Sequence, residues 1–535
     1  MSKYDHLTKD ELAGLLVARD RRDATRFGLV WEANEIDRDK AINSDFVALD
    51  LDREQSVGEE PWRNLIVEGD NFDALRYLRM THAGRVKCIY IDPPYNTGNR
   101  DFVYNDSFVD KDDSWRHSKW CEFMYQRLTL AKDLLRQDGV IFISIDDNEA
   151  ASLRMLMNKV FGENSFVANC IWQKRYSREN RGSIGDAHEY ILIYATDPSV
   201  FQDSCGRIPP TEEQSKVYKN SNNDPLGRWR AIPMTAQGFR PNQMYEIVTP
   251  NGTSHRPPEG RCWGMTEAPF LKLRKEGRIW FGKDGGAQPG VIRYLSEVSG
   301  FVPWTWWPHD EVGHTDEARK EIREWLDTQT AFQTPKPVRL LDRILRIGCG
   351  PDDIILDFFA GSGTTAHAVL KQNAEDGGNR RFILVSSTEA TSESPTKNLC
   401  RDVCAKRVRR VIEGYGDTPG LGGDFAYLRC RRIAPGRLVE IEHEQVWTAI
   451  QMIHGDTLEA FQPAEFLQAG DEEAALFYVP RFNTSLVPAL RKAVKSTGDA
   501  VIYSWQPETL RQHIRSAHVQ HEAIPESLVR KFGLK

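Results

Sequence analysis

The residues best suited to chemistry stand in one short stretch, Asp92-Pro93-Pro94-Tyr95. They follow Val86-Lys87-Cys88-Ile89-Tyr90-Ile91, a β-branched and aromatic run with the composition of a strand buried in a parallel sheet. Ligands of such sheets bind outside the carboxyl ends of the strands, which is where this stretch falls. Each proline fixes its φ and removes an N–H, so the turn is stiff and the carbonyls of Asp92 and Pro93 are left to accept hydrogen bonds. An ionised Asp92 offers acceptors only, and Tyr95 offers a flat face for a planar ring. An amino group carried on a ring suits all of these. A turn capped by an aspartate would use the same four residues, and the stretch alone does not separate the two.

A second stretch, Asp357-Phe358-Phe359-Ala360-Gly361-Ser362-Gly363-Thr364-Thr365, follows the apolar strand 354–356 and opens a helix. Gly361 and Gly363 allow a tight strand-to-helix turn and close backbone approach to a nucleotide-like ligand. No lysine follows the second glycine, which disfavours a phosphate-gripping loop. Taken alone, the two glycines are shared with nicotinamide sites and plain turns. Three further candidates accompany them. Asp70 and Asn71 end the strand 64–67, placed for a ribose or base contact, with a helix N-cap as the alternative. Lys336 and Pro337, in Pro335-Lys336-Pro337, bring a cation on a rigid loop toward a carboxylate. Glu389 lies just past the strand 381–385, where an acid suits ribose hydroxyls.

The elements that must position these groups alternate as strand and helix. Strands are expected at 64–67, 86–91, 140–145, 167–172, 189–195, 354–356 and 381–385, and helices carry apolar stripes between them. An N-terminal helical arm is expected over 1–60, with a helix at 8–22. The sheet then occupies 61–196 and resumes at 331–430. Between them, 197–330 is a different domain of short aromatic and basic segments broken by proline and glycine. Eight of the 14 tryptophans lie from Trp172 to Trp325, and residues 171–300 hold 18 Lys+Arg against 14 Asp+Glu although the whole chain is −7. That polarity suits phosphates, and the rings suit an unstacked base, although most of the tryptophans should form the domain's own core. Residues 431–535 alternate again and suggest a small separate α/β unit with no legible chemistry.

Composition narrows the class. At 535 residues the chain has room for about three to four domains. No apolar run reaches the length of a membrane span and the charged start is not that of a signal peptide, so a cytoplasmic protein is expected. Nine cysteines without a Cys-x-x-Cys argue for reduced thiols, with neither a disulfide framework nor a zinc site.

Read in order, these segments resemble the modification subunits of Type III restriction-modification systems, within the β class of amino-methyltransferases of DNA. The resemblance rests on Gly69-Asp70-Asn71, Ile91-Asp92-Pro93-Pro94-Tyr95-Asn96-Thr97-Gly98, Asp138-Gly139-Val140-Ile141-Phe142-Ile143-Ser144-Ile145-Asp146-Asp147, Glu311-Val312-Gly313-His314-Thr315-Asp316-Glu317-Ala318, and the run from Pro335-Lys336-Pro337 through the glycine loop to Ala368. It spans roughly residues 25–430. It implies a doubly wound, Rossmann-like class I methyltransferase sheet, permuted so that the catalytic loop precedes the cofactor loop, with an inserted target recognition domain and a small C-terminal α/β domain. It further implies methyl transfer from S-adenosylmethionine to N6 of an adenine flipped out of double-stranded DNA, since Asp at the first catalytic position goes with adenine and Ser with cytosine. Asp92 and the Pro93 carbonyl, in the loop completed by Pro94, would hold the amino group, and Tyr95 would stack on the base. Asp357, Phe358, Phe359, Ala360, Gly361, Ser362, Gly363, Thr364 and Thr365, with Lys336, Pro337 and Glu389, would hold the cofactor, and Asp70 and Asn71 would lie near its adenine. Val385-Ser386-Ser387-Thr388 departs from the bulkier, proline-containing stretch usual before the acid. A homodimer and a restriction helicase-nuclease partner are implied by the resemblance only. The alternatives are a solitary DNA or RNA methyltransferase, a nicotinamide oxidoreductase, and a recognition subunit with a vestigial catalytic domain.

Overall fold

Alternation along the strands decides the architecture. Every residue of Val86–Ile91 is buried. Ile89 and Ile91 enter one core, while Cys88 and Tyr90 enter another on the opposite face. A strand apolar on both faces belongs inside a parallel sheet covered on both sides by helices.

The computed structural model describes residues 45–533 apart from 99–102, 105–106, 109–115, 178–183, 221, 299, 327–331, 333, 391–393 and 472, with isolated positions 8, 9, 13 and 16 before them. The helix expected at 8–22 and most of the polar stretch after Gly98 lie outside the described residues.

The main sheet contains β1 (Phe46–Val57), β2 (Leu65–Glu68), β3 (Val86–Ile91), β4 (Leu135–Ile145), β5 (Phe166–Gln173), β6 (His188–Ala195), β7 (Trp306–Trp307), β8 (Ile354–Asp357), β9 (Arg381–Ser386) and β10 (Phe425–Ile433). Their spatial order is β1-β10-β2-β9-β8-β3-β4-β6-β5-β7. The six strands from β10 to β4 run parallel, and β6 and β1 run against them. Helices α1 (Asn71–His82), α2 (Arg116–Leu134) and α3 (Ala150–Phe161) bury their stripes on one face. After α4 (Thr315–Leu326), helices α5 (Val338–Gly348), α6 (Thr364–Asp376) and α7 (Lys406–Glu413) cover the other. The doubly wound expectation holds, and it fixes the site. Crossover β8-α6-β9 winds toward one edge and β3-α2-β4 toward the other, so the order reverses between neighbours β8 and β3, which pair Ile355 with Cys88 and Leu356 with Ile89.

Several expected boundaries shift. The arm over 1–60 carries β1, whose Phe46, Val47, Ala48 and Leu49 are buried in the large core, so its last part is a sheet strand rather than an arm. The inserted region also begins and ends on the sheet. Helix Pro198–Ser204 seats Phe201 there, and Trp307 and Trp325 return to the same core. Between them a three-stranded sheet of Trp229–Pro233, Gly290–Tyr294 and Ile279–Trp280, two short hairpins and helix Glu267–Lys275 enclose small cores of their own.

The C-terminal region is joined more closely than its sequence suggests. β10 runs to Ile433 in the main sheet, and α8 (His443–His454) lies on it through Trp447 and Ile450. The sheet that follows holds β11 (Leu467–Gly470), β12 (Ala474–Val479), β13 (Asp499–Ser504) and β14 (Val519–Ala523) in sequential order, with α9 (Val487–Lys495), α10 (Pro507–His513) and α11 (Glu526–Phe532). One face has its own core around Phe477, Leu490 and Ile502, whereas Leu476, Tyr478 and Tyr503 enter the large one. The Phe532 ring is 4.8 Å from Phe46, with the Arg76 guanidinium 4.9 Å above it. The unit is therefore not separate: alternating apolar residues on its strands need two cores, and the main domain supplies one. Among the described residues no helix is long and apolar enough to cross a membrane.

Candidate active site

The loop after β3 is fastened from beneath. The Trp120 indole donates to the Pro94 carbonyl at 2.6 Å, and the buried Asn96, with φ of 57°, donates its amide to Glu149 at 2.6 Å. That leaves Asp92 and Tyr95 facing the crevice, where a network closes around them. The Tyr95 hydroxyl is 2.8 Å from Asp92 Oδ1 and 2.9 Å from Glu189 Oε2. The Lys336 ammonium bonds both Asp92 oxygens at 2.7 and 2.8 Å, lies 3.5 Å from Glu189, and stands 5.1 Å from the centre of the Tyr95 ring. Burial pushes the Asp92 carboxyl above its usual range against the pull of Lys336. Burial works against the Lys336 ammonium, but Asp92 and Glu189 hold it above its ordinary value. Two carboxylates and one ammonium thus share a largely enclosed site. The same carboxylate acceptors suit an amine nitrogen.

The glycine loop lies on the neighbouring strand. Asp357 is buried, accepts from Phe359 N at 3.0 Å and from the Thr365 hydroxyl at 2.5 Å, and burial pushes its carboxyl up to about 7. Gly361 and Gly363 have φ of 50° and 74°. A methyl group on Gly363 would lie 3.1 Å from Val408 and 3.2 Å from the Cys404 carbonyl, and one on Gly361 would lie 2.8 Å from the Phe332 ring. The loop can therefore be held this close only by glycine. Beneath it the fully buried Arg407 donates to the Ser362 hydroxyl at 3.2 Å and the Thr364 hydroxyl at 2.8 Å. Burial lowers this guanidinium to about 10, so it stays charged near neutrality. From the far side Asn71 donates to the Phe358 carbonyl at 2.9 Å.

The sequence candidates divide accordingly. Asp92, Pro93, Pro94 and Tyr95 follow β3, and Asp357 to Thr365, held by Asn71, lie at and beyond the end of the neighbouring β8. Asp70 caps α1, accepting from Phe72 N at 2.8 Å, and pairs with Arg127 at 3.2 Å. Its N-cap alternative is realised. Lys336, expected to meet a ligand's carboxylate, pairs with the half-buried Asp92 at 2.7 Å instead. Pro337 is the buried N-cap residue of α5. Glu389 stands apart: it lies three residues past β9 with φ of 51°, exposed and paired with Lys397 at 2.7 Å. Sequence reasoning missed Glu189 and Arg407. Glu189 is the second residue of β6, and because β6 is antiparallel its start lies beside the end of β4. The apolar stripe Cys404, Val408, Val411 places Arg407 on the buried side of its helix, a signal present in the sequence.

Residues 86–392 match the family model of N6/N4 methyltransferases, described as DNA methylase. The chain is 35% identical over 474 residues to the Type III restriction-modification enzyme StyLTI Mod subunit of Salmonella typhimurium strain LT2, covering 79% of this chain and 71% of that one. It is 32% identical over 438 residues to the EcoPI Mod subunit of Escherichia phage P1, covering 69% and 65%. It is 30% identical over 415 residues to the Type II methyltransferase M.KpnI of Klebsiella pneumoniae, covering 72% and 96%.

Proposed function

Because the chain belongs to the N6/N4 DNA methylase family, as a homologue of Type III Mod subunits, we propose that it transfers a methyl group to N6 of an adenine extruded from double-stranded DNA. The observation that carries this reading is the Lys336 ammonium, a nitrogen already seated against Asp92 and Glu189 beside the Tyr95 ring. The amino group of a base needs the same acceptors and the same ring.

The residues around the glycine loop fit S-adenosylmethionine. Gly361 and Gly363 let the backbone approach a nucleoside, and the half-buried Phe359 offers a ring. Asn71 and Arg407 hold the loop in that shape from either side. When bound, S-adenosylmethionine supplies a methyl group on a sulfonium, activated without help from the protein. The chain's own contribution is position and charge. Asp92 accepts from N6–H and orients the nitrogen lone pair, Tyr95 stacks on the extruded ring, and Lys336 yields its place to the amino group. Extrusion costs a few kcal/mol, offset by that stacking and by contacts to the polar edge. The inserted region, with exposed Phe239 and Trp304 and an exposed Arg256, is proposed to recognise the target sequence. Work on DNA of the cell would place the protein in the cytoplasm.

The Type III relatives are Mod subunits of restriction-modification enzymes, which favours a modification subunit that acts with a restriction subunit. The coverage of 96% of a Type II methyltransferase favours, as a second reading, an enzyme that methylates without such a partner. Purified protein incubated with tritiated S-adenosylmethionine and unmethylated DNA tests the main proposal. Label recovered as N6-methyl-2′-deoxyadenosine supports it. Label on cytosine, or on RNA alone, overturns it.

A further inference from the structure

A continuous line of proton-exchanging groups leads out of the site. Asp92 Oδ1 lies 2.8 Å from the Tyr95 hydroxyl, which lies 2.9 Å from Glu189 Oε2. The second Glu189 oxygen is 3.4 Å from Lys174 Nζ, and Lys174 is 2.8 Å from Asp186, whose side chain is 52% exposed. Glu189 and Lys174 are buried, so the line runs from the crevice to solvent through enclosed groups. Tyr95 has one hydroxyl hydrogen for two carboxylates. It donates to one and can accept from a proton held on the other. A chain of this kind passes a proton by short hops while the ring stays in place.

Resting on the adenine-N6 reading above, we propose that Glu189 receives the proton the amino nitrogen must lose, by way of Asp92 and Tyr95, and releases it along Lys174 and Asp186. The nitrogen–methyl bond forms as the methyl–sulfur bond breaks, and that electron pair stays on sulfur. The nitrogen is left with one proton too many. It passes the proton to Asp92; Tyr95 takes it and gives its own hydrogen to Glu189. Lys174 then hands a proton to Asp186 and is refilled from Glu189, and Asp186 loses the proton to water. The base ends neutral and every side chain returns to its starting form. Glu189 does not touch the base: it acts through Tyr95. The upward push of burial on Asp92 suits it to hold a proton briefly. The other charged or titratable groups around Glu189 are Lys336 before α5, Asp146 at the end of β4 and Tyr90 on β3.

The test uses Glu189→Gln, which keeps the shape and cannot take the proton, Glu189→Ala, and Tyr95→Phe, which cuts the line in its middle. With S-adenosylmethionine and unmethylated genomic DNA, Glu189→Gln is expected to lower kcat about 100-fold, the scale of general-base catalysis, with binding of DNA and cofactor held within about twofold. The deficit should shrink as pH rises and hydroxide replaces the carboxylate, Tyr95→Phe should share that profile, and added formate should restore Glu189→Ala. In the free protein, carboxyl carbon NMR should show Asp92 titrating at lower pH in Glu189→Gln, because a neighbouring negative charge is gone. Parallel pH profiles, no formate rescue, or an unmoved Asp92 titration would overturn the relay. Wild-type protein that transfers no methyl to DNA overturns the underlying reading instead, so the two failures are distinct.

Discussion

The chain builds two sheets with parallel strands and crossing helices, and only one of them carries chemistry. In the main sheet, β8 and β3 are neighbours whose following helices, α6 and α2, lie on opposite faces. Their loops part and leave a crevice. In the C-terminal sheet, β12-α9-β13-α10-β14 winds in one direction, and α9 and the end of α10 share one core. No reversal occurs there among the three parallel strands. The strand ends differ to match. Asp92 follows β3 and Asp357 ends β8, whereas Val479, Ser504 and Ala523 end β12, β13 and β14. Local pattern makes a sheet, and a change in winding makes a site.

Substitutions can break or sharpen this contrast. The largest effect is expected at Asp92→Ala, which should reduce methyl transfer by about 1000-fold or more while calorimetric cofactor affinity changes little. The matching change at a C-terminal strand end, Ser504→Ala, should leave transfer within about twofold, and a large loss there would erase the contrast. Next is Gly363→Ala. Its φ of 74° and the 3.1 Å approach to Val408 force the loop to move, and cofactor affinity should fall about tenfold to 100-fold by calorimetry. Phe532→Ala removes the ring that locks the C-terminal unit onto Phe46. Denaturant unfolding should show a loss of about 3 kcal/mol with kcat per folded molecule unchanged.

The smallest effect concerns pH. Asp357 binds its proton up to about 7 in the folded chain, against 3.8 for an ordinary aspartate. Between those values the native state holds a proton that the unfolded chain has released, so this group's contribution to stability falls as pH rises through that window. Asp357→Asn should therefore raise Tm by about 2 °C at pH above the window and lose that advantage below it, by scanning calorimetry. An equal shift on both sides of the window would rule out the buried carboxyl as its cause.

Most of the crevice was legible because its residues sit at the ends of strands that can be recognised one at a time. The Asp92 and Asp357 loops needed only an apolar run and the glycines or prolines after it. Glu189 required knowing that β6 runs backwards, a fact of pairing rather than of composition. Lys336 could be read only as a cation on a rigid loop, since its partner Asp92 lies 244 residues away in the sequence. Arg407 hid in Lys406-Arg407-Val408-Arg409-Arg410, which reads as a solvated basic run until the apolar stripe beneath it is traced. The C-terminal unit looked separate because its strands alternate by themselves; that one of its two faces is buried on the main domain depends on long-range packing alone.

The most direct test of the central claim is single-molecule sequencing of genomic DNA from a methylation-deficient host that expresses the protein, beside the same host expressing Asp92→Ala. N6-methyladenine at one defined motif, absent with the variant, is the expected result. N4-methylcytosine in its place, or N6-methyladenine that persists in the variant, would contradict the assignment of Asp92 and its crevice to adenine methylation.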